Sequence, residues 1–231
     1  DEAADKIQLL KDKINRSYEL MCAQVLQTGI VTLNSGDNID FKREAPSKVV
    51  LESGSRWSDD AFDPCSTLEA AARFIRTAGL YVGGEFNVIM GSAAWNAFIN
   101  NAKRKAGSDI KDWKLSDIVS PIQFGAGSAF LGRVSAGSYN FNVWGYEQFY
   151  NAAGTDKTGK TPYIDPKNIV VLPNDRSFTF AYAGVPHIKR NPASVTAPEY
   201  IAYAPGEFFV DNFIDGRASN HTFAVKSAGV P

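Results

Sequence analysis

The sequence predicts an α+β fold, and three observations carry that prediction. Apolar residues recur at three- and four-residue steps over residues 3–27, β-type runs take over from about residue 118, and no internal repeat is present. With 231 residues, 44% hydrophobic and 12% aromatic, the chain can bury a sizeable core as one large or two small domains.

The first element is a long amphipathic helix. Ile7, Leu10, Ile14, Tyr18, Met21 and Val25 form its stripe, Lys6, Lys11, Asp12, Arg16 and Glu19 lie between them, and Gly29 stops it. A short strand Ile30–Leu33, the turn Asn34–Asn38 and a partner strand Ile39–Lys42 follow, with a further strand expected over Lys48–Glu52. Asp63 can cap a second helix with Pro64 at its first position, and Ser66 with Glu69 offers a capping-box alternative. Leu68, Ala71, Ala72, Ile75 and Ala78 give that helix a small-residue face, and Gly79 ends it. Asn87–Met90 reads as a buried strand leading through Gly91-Ser92 into a helix bearing Trp95, Phe98 and Ile99. The β half then offers mostly antiparallel strands at Ala129–Val134, Tyr139–Phe149, Ile169–Leu172, Ser177–Ala183, Glu199–Tyr203, Phe208–Phe213 and Thr222–Val225, with Asp215-Gly216 as a hairpin signal.

Composition excludes several functional classes. A net charge of −1, from 24 basic and 25 acidic residues spread along the chain, gives no basic stripe for nucleic acid. Cys22 and Cys65 have no metal or redox spacing and read as reduced thiols of an intracellular product; with only His187 and His221, no His/Cys metal site is expected. No apolar run is long enough to span a membrane, and no signal peptide is visible. Asp1 already falls inside the helical pattern, so the chain is expected to be a fragment, or one whose first segment was removed or disordered.

Two stretches spell chemistry. Gly154–Thr161, "GTDKTGKT", satisfies the phosphate-cradling pattern G-x-x-x-x-G-K-[ST], but that cradle works only where a helix begins at the Gly-Lys-Thr and aims its N-terminus at the anion. Pro162 follows Thr161 at once and Asp165-Pro166 follows soon after, so a hairpin loop is the better reading. "IVVLPND" fails as a partner motif because Pro173 and Asn174 separate its apolar run from Asp175. The second stretch, Asp59-Asp60-Ala-Phe-Asp63, resembles the aspartates that share magnesium, yet Pro64 breaks the helical geometry they would need. Helix entry and capping explain it better. "FGAGSAFLG" fits no glycine-motif spacing, and "YNFNVWGYEQFY" reads as alternating strand core. His187, in a turn, and His221, near a loop, have no nucleophile at catalytic spacing. No catalytic, cofactor-binding or metal-binding residue is therefore assigned, and no cofactor is expected.

Read as a whole, the order of signals resembles the major capsid protein of lambda-type tailed bacteriophages, the phage or prophage major capsid protein E family. The segments carrying the resemblance are "LMCAQVLQTGIVTLNSGDNIDF", "SGSRWSDDAFDPCSTLEAAARFI", "NVIMGSAAWNAFI", "TPYIDPKNIVVLPND" and "APEYIAYAPGEFFVDNFID". They are spaced over nearly the whole chain, with no single diagnostic motif. The resemblance implies the shell fold of tailed phages and encapsulins (Hong Kong phage capsid-like). A spine helix and long sheet would form a peripheral domain from residues 1–55 and 192–231, and residues 56–191 an axial domain facing the capsomer centre. The family's N-terminal arm and extended loop precede the spine helix and are expected to be absent from this chain, so no crosslinking lysine is assigned. The implied role is a non-enzymatic virion subunit, made in the bacterial host cytoplasm and assembling into hexamers and pentamers around DNA that it contacts non-specifically. A head decoration protein is a possible further partner. "GTDKTGKT" would then be a loop near the edge of the axial domain. An encapsulin-like compartment shell and a P-loop nucleotide-binding protein are the alternatives, separable by neighbouring genes and by a nucleotide titration.

Overall fold

In the computed structural model the first apolar stripe winds into α1, Glu2–Thr28. The structure describes residues 2–33, 35–107, 122–123, 127–151, 159–174, 181–182, 186–189, 199–202, 209–214, 221–226 and 229–230. Contacts group the chain into two units, Asp1–Cys22 with Phe178–Pro231, and Ala23–Ser177.

The Ala23–Ser177 unit opens on the end of α1. Gly29 takes a left-handed φ of +76°, and an added Cβ there would lie 2.7 Å from the Cβ of Arg43, so glycine is needed twice over. Arg43 closes the helix end by donating from Nη1 to the Leu26 carbonyl at 2.5 Å. The chain then turns into an antiparallel hairpin of β1 (Ile30–Thr32) and β2 (Asn38–Asp40). The strand expected over Lys48–Glu52 is absent. Pro46 sits in a short 3-10 turn, Ala45–Ser47, and residues 48–52 run on without a strand partner.

Helix α2 (Pro64–Ala78) starts as the sequence indicates, with the Asp63 carboxylate accepting from the Cys65 N–H at 3.0 Å. Ser66 and Glu69 do not form the capping box: Ser66 Oγ donates to the Asp63 carbonyl, and Glu69 pairs with Arg73 at 2.8 Å. Gly79 closes the helix in a right-handed conformation, and the left-handed residue is instead Leu80, at φ +50°.

The next elements are β3 (Glu85–Met90), α3 (Ser92–Asn100) and α4 (Ala102–Gly107), the last of them unmarked by periodicity. Then come β4 (Ile122–Gln123), β5 (Ser128–Ala136), β6 (Tyr139–Tyr146), β7 (Phe149–Asn151), β8 (Lys160–Pro162) and β9 (Ile169–Pro173). Five of these strands make one sheet in the order β4-β5-β6-β3-β9, antiparallel except for the β3–β6 pair. Register decides its two faces. Phe86 lies opposite Phe141 and Val88 opposite Val143, and these four are completely buried with Leu68 and Ala72 of α2, Phe98 of α3 and Met90. A fully apolar contact at this density makes each ring costly to truncate, about 3–5 kcal/mol for a buried Phe. The continuous strand expected over Tyr139–Phe149 is broken at Glu147 and Gln148, whose backbone groups pair with Gly127 and Tyr163 instead.

Among the described residues the other unit carries three antiparallel pairs. They are β10 (Ala181–Tyr182) with β15 (Gly229–Val230), β11 (Pro186–Lys189) with β12 (Glu199–Ala202), and β13 (Phe209–Ile214) with β14 (His221–Lys226). His187 therefore sits within a strand, opposite Ile201, and not in a turn, because residues 186–189 find their pairing partner in residues 199–202. His221 opens β14 opposite Ile214. Of the strand expected over Ser177–Ala183, Ala181–Tyr182 is seen. Asp215-Gly216 lies outside the described residues, between the paired β13 and β14.

Candidate functional site

The phosphate-loop reading depends on the element directly downstream of Gly159-Lys160-Thr161, and that element is a strand. Asn151 pairs with Lys160, Tyr150 with Thr161 and Phe149 with Pro162, so β8 stands where the first turn of a phosphate-binding helix is required. Residues 154–158 lie outside the described residues. Immediately downstream, Tyr163 and Ile164 are buried, and the Tyr163 ring meets Tyr150 and Tyr146 with centroids 5.1 and 6.4 Å away.

That segment leads into a turn that serves as a clasp. The Pro166 carbonyl accepts from the Ala94 N–H at 2.9 Å and the Asn168 carbonyl from the Gly91 N–H at 3.0 Å, so the N-terminus of α3 is already occupied by protein. Gly91 is required for this approach, since a Cβ would fall 2.4 Å from the Asp165 carbonyl oxygen. Gln27, at the end of α1, holds the other side of the turn. Its Oε1 accepts from the Asp165 N–H and from Asn168 Nδ2, while its Nε2 donates to the carbonyls of Tyr163 and Ala23.

The three aspartates of the second motif are separated into three backbone tasks. Asp59 accepts from the Gly54 and Arg56 N–H groups, Asp60 from the Ala102 N–H, and Asp63 caps α2. Asn101, 2% exposed, ties the same loop down. Its Nδ2 lies 3.0, 3.1 and 3.0 Å from the carbonyls of Trp57, Asp59 and Phe62, and its Oδ1 accepts from the Arg104 N–H at 3.0 Å. Three carbonyls around one atom fix that atom as the nitrogen. Nothing in the sequence marks Asn101 as different from Asn100 beside it.

Both cysteines are free. Burial, reinforced by the Asp63 charge, pushes the Cys65 thiol from its usual 9.0 up to about 11, and burial also raises Cys22. Neither is poised as a thiolate nucleophile. The aromatic run of β6 divides as alternation requires. Phe141 and Val143 enter the core, and Asn140, Asn142 and Trp144 point to the opposite face. There Ser135 donates to Asn140, Arg133 reaches both Asn142 and Glu85, and Asn87 links Trp144 to Asn174. These side chains are linked to one another across that face.

One concave surface stands apart from these internal devices, and sequence reasoning missed it. A hollow of about 540 Å3 is lined by Arg73, Arg76, Thr77, Leu80, Tyr81, Val82 and Tyr139. Tyr81 is its anchor: the ring packs on Phe86 and the hydroxyl donates to the Glu85 carbonyl at 2.8 Å. With Tyr81 held inward, Leu80 and Val82 on either side point outward, 79% and 88% exposed. Arg76 lies over the Tyr139 ring, 5.7 Å from its centroid. The surface offers cationic and apolar contact, and its Thr77 hydroxyl is already committed to the Arg73 and Phe74 carbonyls.

Among the described residues, no group of His, Cys, Asp and Glu could hold a metal ion, and no helix is long and apolar enough to cross a membrane. A family model described as phage major capsid protein E matches residues 1–205. Comparison with curated proteins gives no match.

Proposed function

The chain belongs to the phage major capsid protein E family, and from that premise we propose how it builds a phage head. It is a structural capsid subunit, and its place is the virion. In our reading, copies assemble into hexamers and pentamers of an icosahedral head that encloses DNA, with the tailed-phage shell fold. Residues 1–55 and 192–231 would form the peripheral domain around α1, and 56–191 the axial domain. That boundary is drawn by role in the shell and differs from the grouping by contacts, in which residues 23–55 go with the larger unit. The subunit works without enzymatic activity or cofactor, is made in the host cytoplasm and touches packaged DNA non-specifically; a head decoration protein is a possible further partner.

The observation carrying this reading is the family match over residues 1–205. The geometry supports it, because each stretch that spells chemistry has a structural occupation: Lys160 and Thr161 in a β ladder, the three aspartates on backbone N–H groups. A net charge of −1 also limits long-range repulsion among many copies packed side by side. The test is electron microscopy of the purified protein. Rings and closed shells are expected; their absence under all assembly conditions would refute the reading.

A further inference from the structure

We propose that the Leu80–Val82 tip, with its Arg73–Arg76 shelf, receives the Val49–Val50 segment of a second copy of this chain in a head-to-tail contact. The proposal rests on the capsid reading, which makes a second copy the partner always at hand. Val82, Val50, Leu80 and Val49, at 88%, 80%, 79% and 71% exposure, are the four most exposed large hydrophobic residues among those described. They fall into two pairs. Each pair keeps its apolar surface in water within one copy, so neither covers the other, and burying both together releases that water.

Local structure favours this occupant. Leu80 holds a left-handed φ of +50° while pointing its side chain into solvent, a strain retained because Tyr81 is locked in the core. Residues 48–52 pair with no strand, and Lys48, Val49 and Val50 stand exposed while Leu51 turns inward against the core. Charge supplies one specific pairing: Arg76 lines the receiving hollow, where Arg73 is already engaged by Glu69, and exposed Glu52 stands two residues beyond Val50. A symmetric pairing of two hollows would instead set Arg76 against Arg76. A contact between unlike surfaces closes into rings when its rotation permits, which is the form a capsomer requires.

Two measurements on the full-length protein test this. In assembled particles of a Val50→Cys/Val82→Cys double variant, mild oxidation should give a ladder of covalently linked subunits on a non-reducing gel. Wild type, with only its native Cys22 and Cys65, and each single variant should stay monomeric. Separately, Arg76→Glu and Glu52→Arg should each raise the concentration needed for assembly about tenfold, and the combined variant should return to within about threefold of wild type. All four substitutions lie at the surface, and unchanged circular dichroism will verify folding. Particles without the ladder, Val82→Cys crosslinking to itself, or a combined charge variant no better than the worse single would overturn the contact while leaving the capsid role intact. Wild-type protein that forms no rings or shells would overturn both.

Discussion

Replacing Asn101 by Asp changes the shape of one buried side chain very little and reverses its hydrogen-bonding character. In the native structure one nitrogen faces three carbonyls, those of Trp57, Asp59 and Phe62, and the side-chain oxygen caps α4 through Arg104. Aspartate keeps the cap and presents a second oxygen to the three carbonyls. Each buried acceptor left without a donor costs about 1–3 kcal/mol, and two bonds' worth of donors disappear, so about 3–5 kcal/mol is expected near neutral pH. For a chain of this size that lowers Tm by roughly 6–20 °C. The sign of the pH dependence comes from the same geometry. Carbonyl oxygens and burial disfavour the ionised form, so the folded-state pKa of the new carboxyl is raised above its unfolded value, against partial relief from Arg104. Its penalty is greatest above that raised pKa and shrinks as pH falls through it, because the protonated acid again donates one bond. Asn101→Ala should cost about 3–4 kcal/mol, including the lost cap, without this pH dependence. Thermal melts followed by Trp fluorescence at pH 7 and pH 5 decide the matter. A Tm for Asn101→Asp within about 2 °C of wild type at both pH values would show that the amide does not organise this loop.

Four other substitutions and titrations probe the same geometry. Gly91→Ala would drive a Cβ into the Asp165 and Pro166 carbonyls, and should cost about 2–3 kcal/mol, read as a lowered urea midpoint. Gln27→Ala removes three hydrogen bonds from the Tyr163–Asn168 turn and a fourth to the Ala23 carbonyl, and should cost about 1–2 kcal/mol, with faster proteolysis near that turn. Cys65 should resist iodoacetamide at pH 8 in the folded state; because its folded pKa is raised from 9.0 to about 11, its contribution to stability is full below 9.0 and is lost as pH climbs toward 11, which alkaline melts of wild type against Cys65→Ala can check. Titration with ATP or GTP should be flat for both wild type and Lys160→Ala, since saturable binding lost in the variant would restore the phosphate-loop reading.

Much of the local architecture was legible because short-range physics writes it into the sequence. Asp63-Pro64 announces a helix start in any context, the apolar run at Asn87–Met90 marks a strand, though one longer and only half-buried by alternation, and Gly29 ends a helix on its own conformational freedom. Pro162 likewise sufficed to reject a phosphate loop. The illegible part depends on partners far along the chain. Val49 and Val50 have strand propensity but no strand beside them, so the expected element does not form. His187 reads as a turn residue until Ile201 is placed opposite it. Asn101 and Gln27 are ordinary amides in the sequence, and their importance comes from carbonyls delivered by other segments. The hollow beside Tyr81 was missed for a related reason: its exposed Leu80 and Val82 look like core residues until Tyr81 takes the inward position.

The clasp at Gln27 also sets a timetable for synthesis. Asn168, which it grips, is 141 residues further along the chain. At about 5–20 residues per second, roughly 7–30 s pass between the two leaving the ribosome. During that interval the end of the first helix has no turn to hold, and α3, once made, lacks its N-terminal cover until Pro166 and Asn168 follow. The fold of this unit is therefore completed late in synthesis, once residues 163–168 have emerged to meet Gln27.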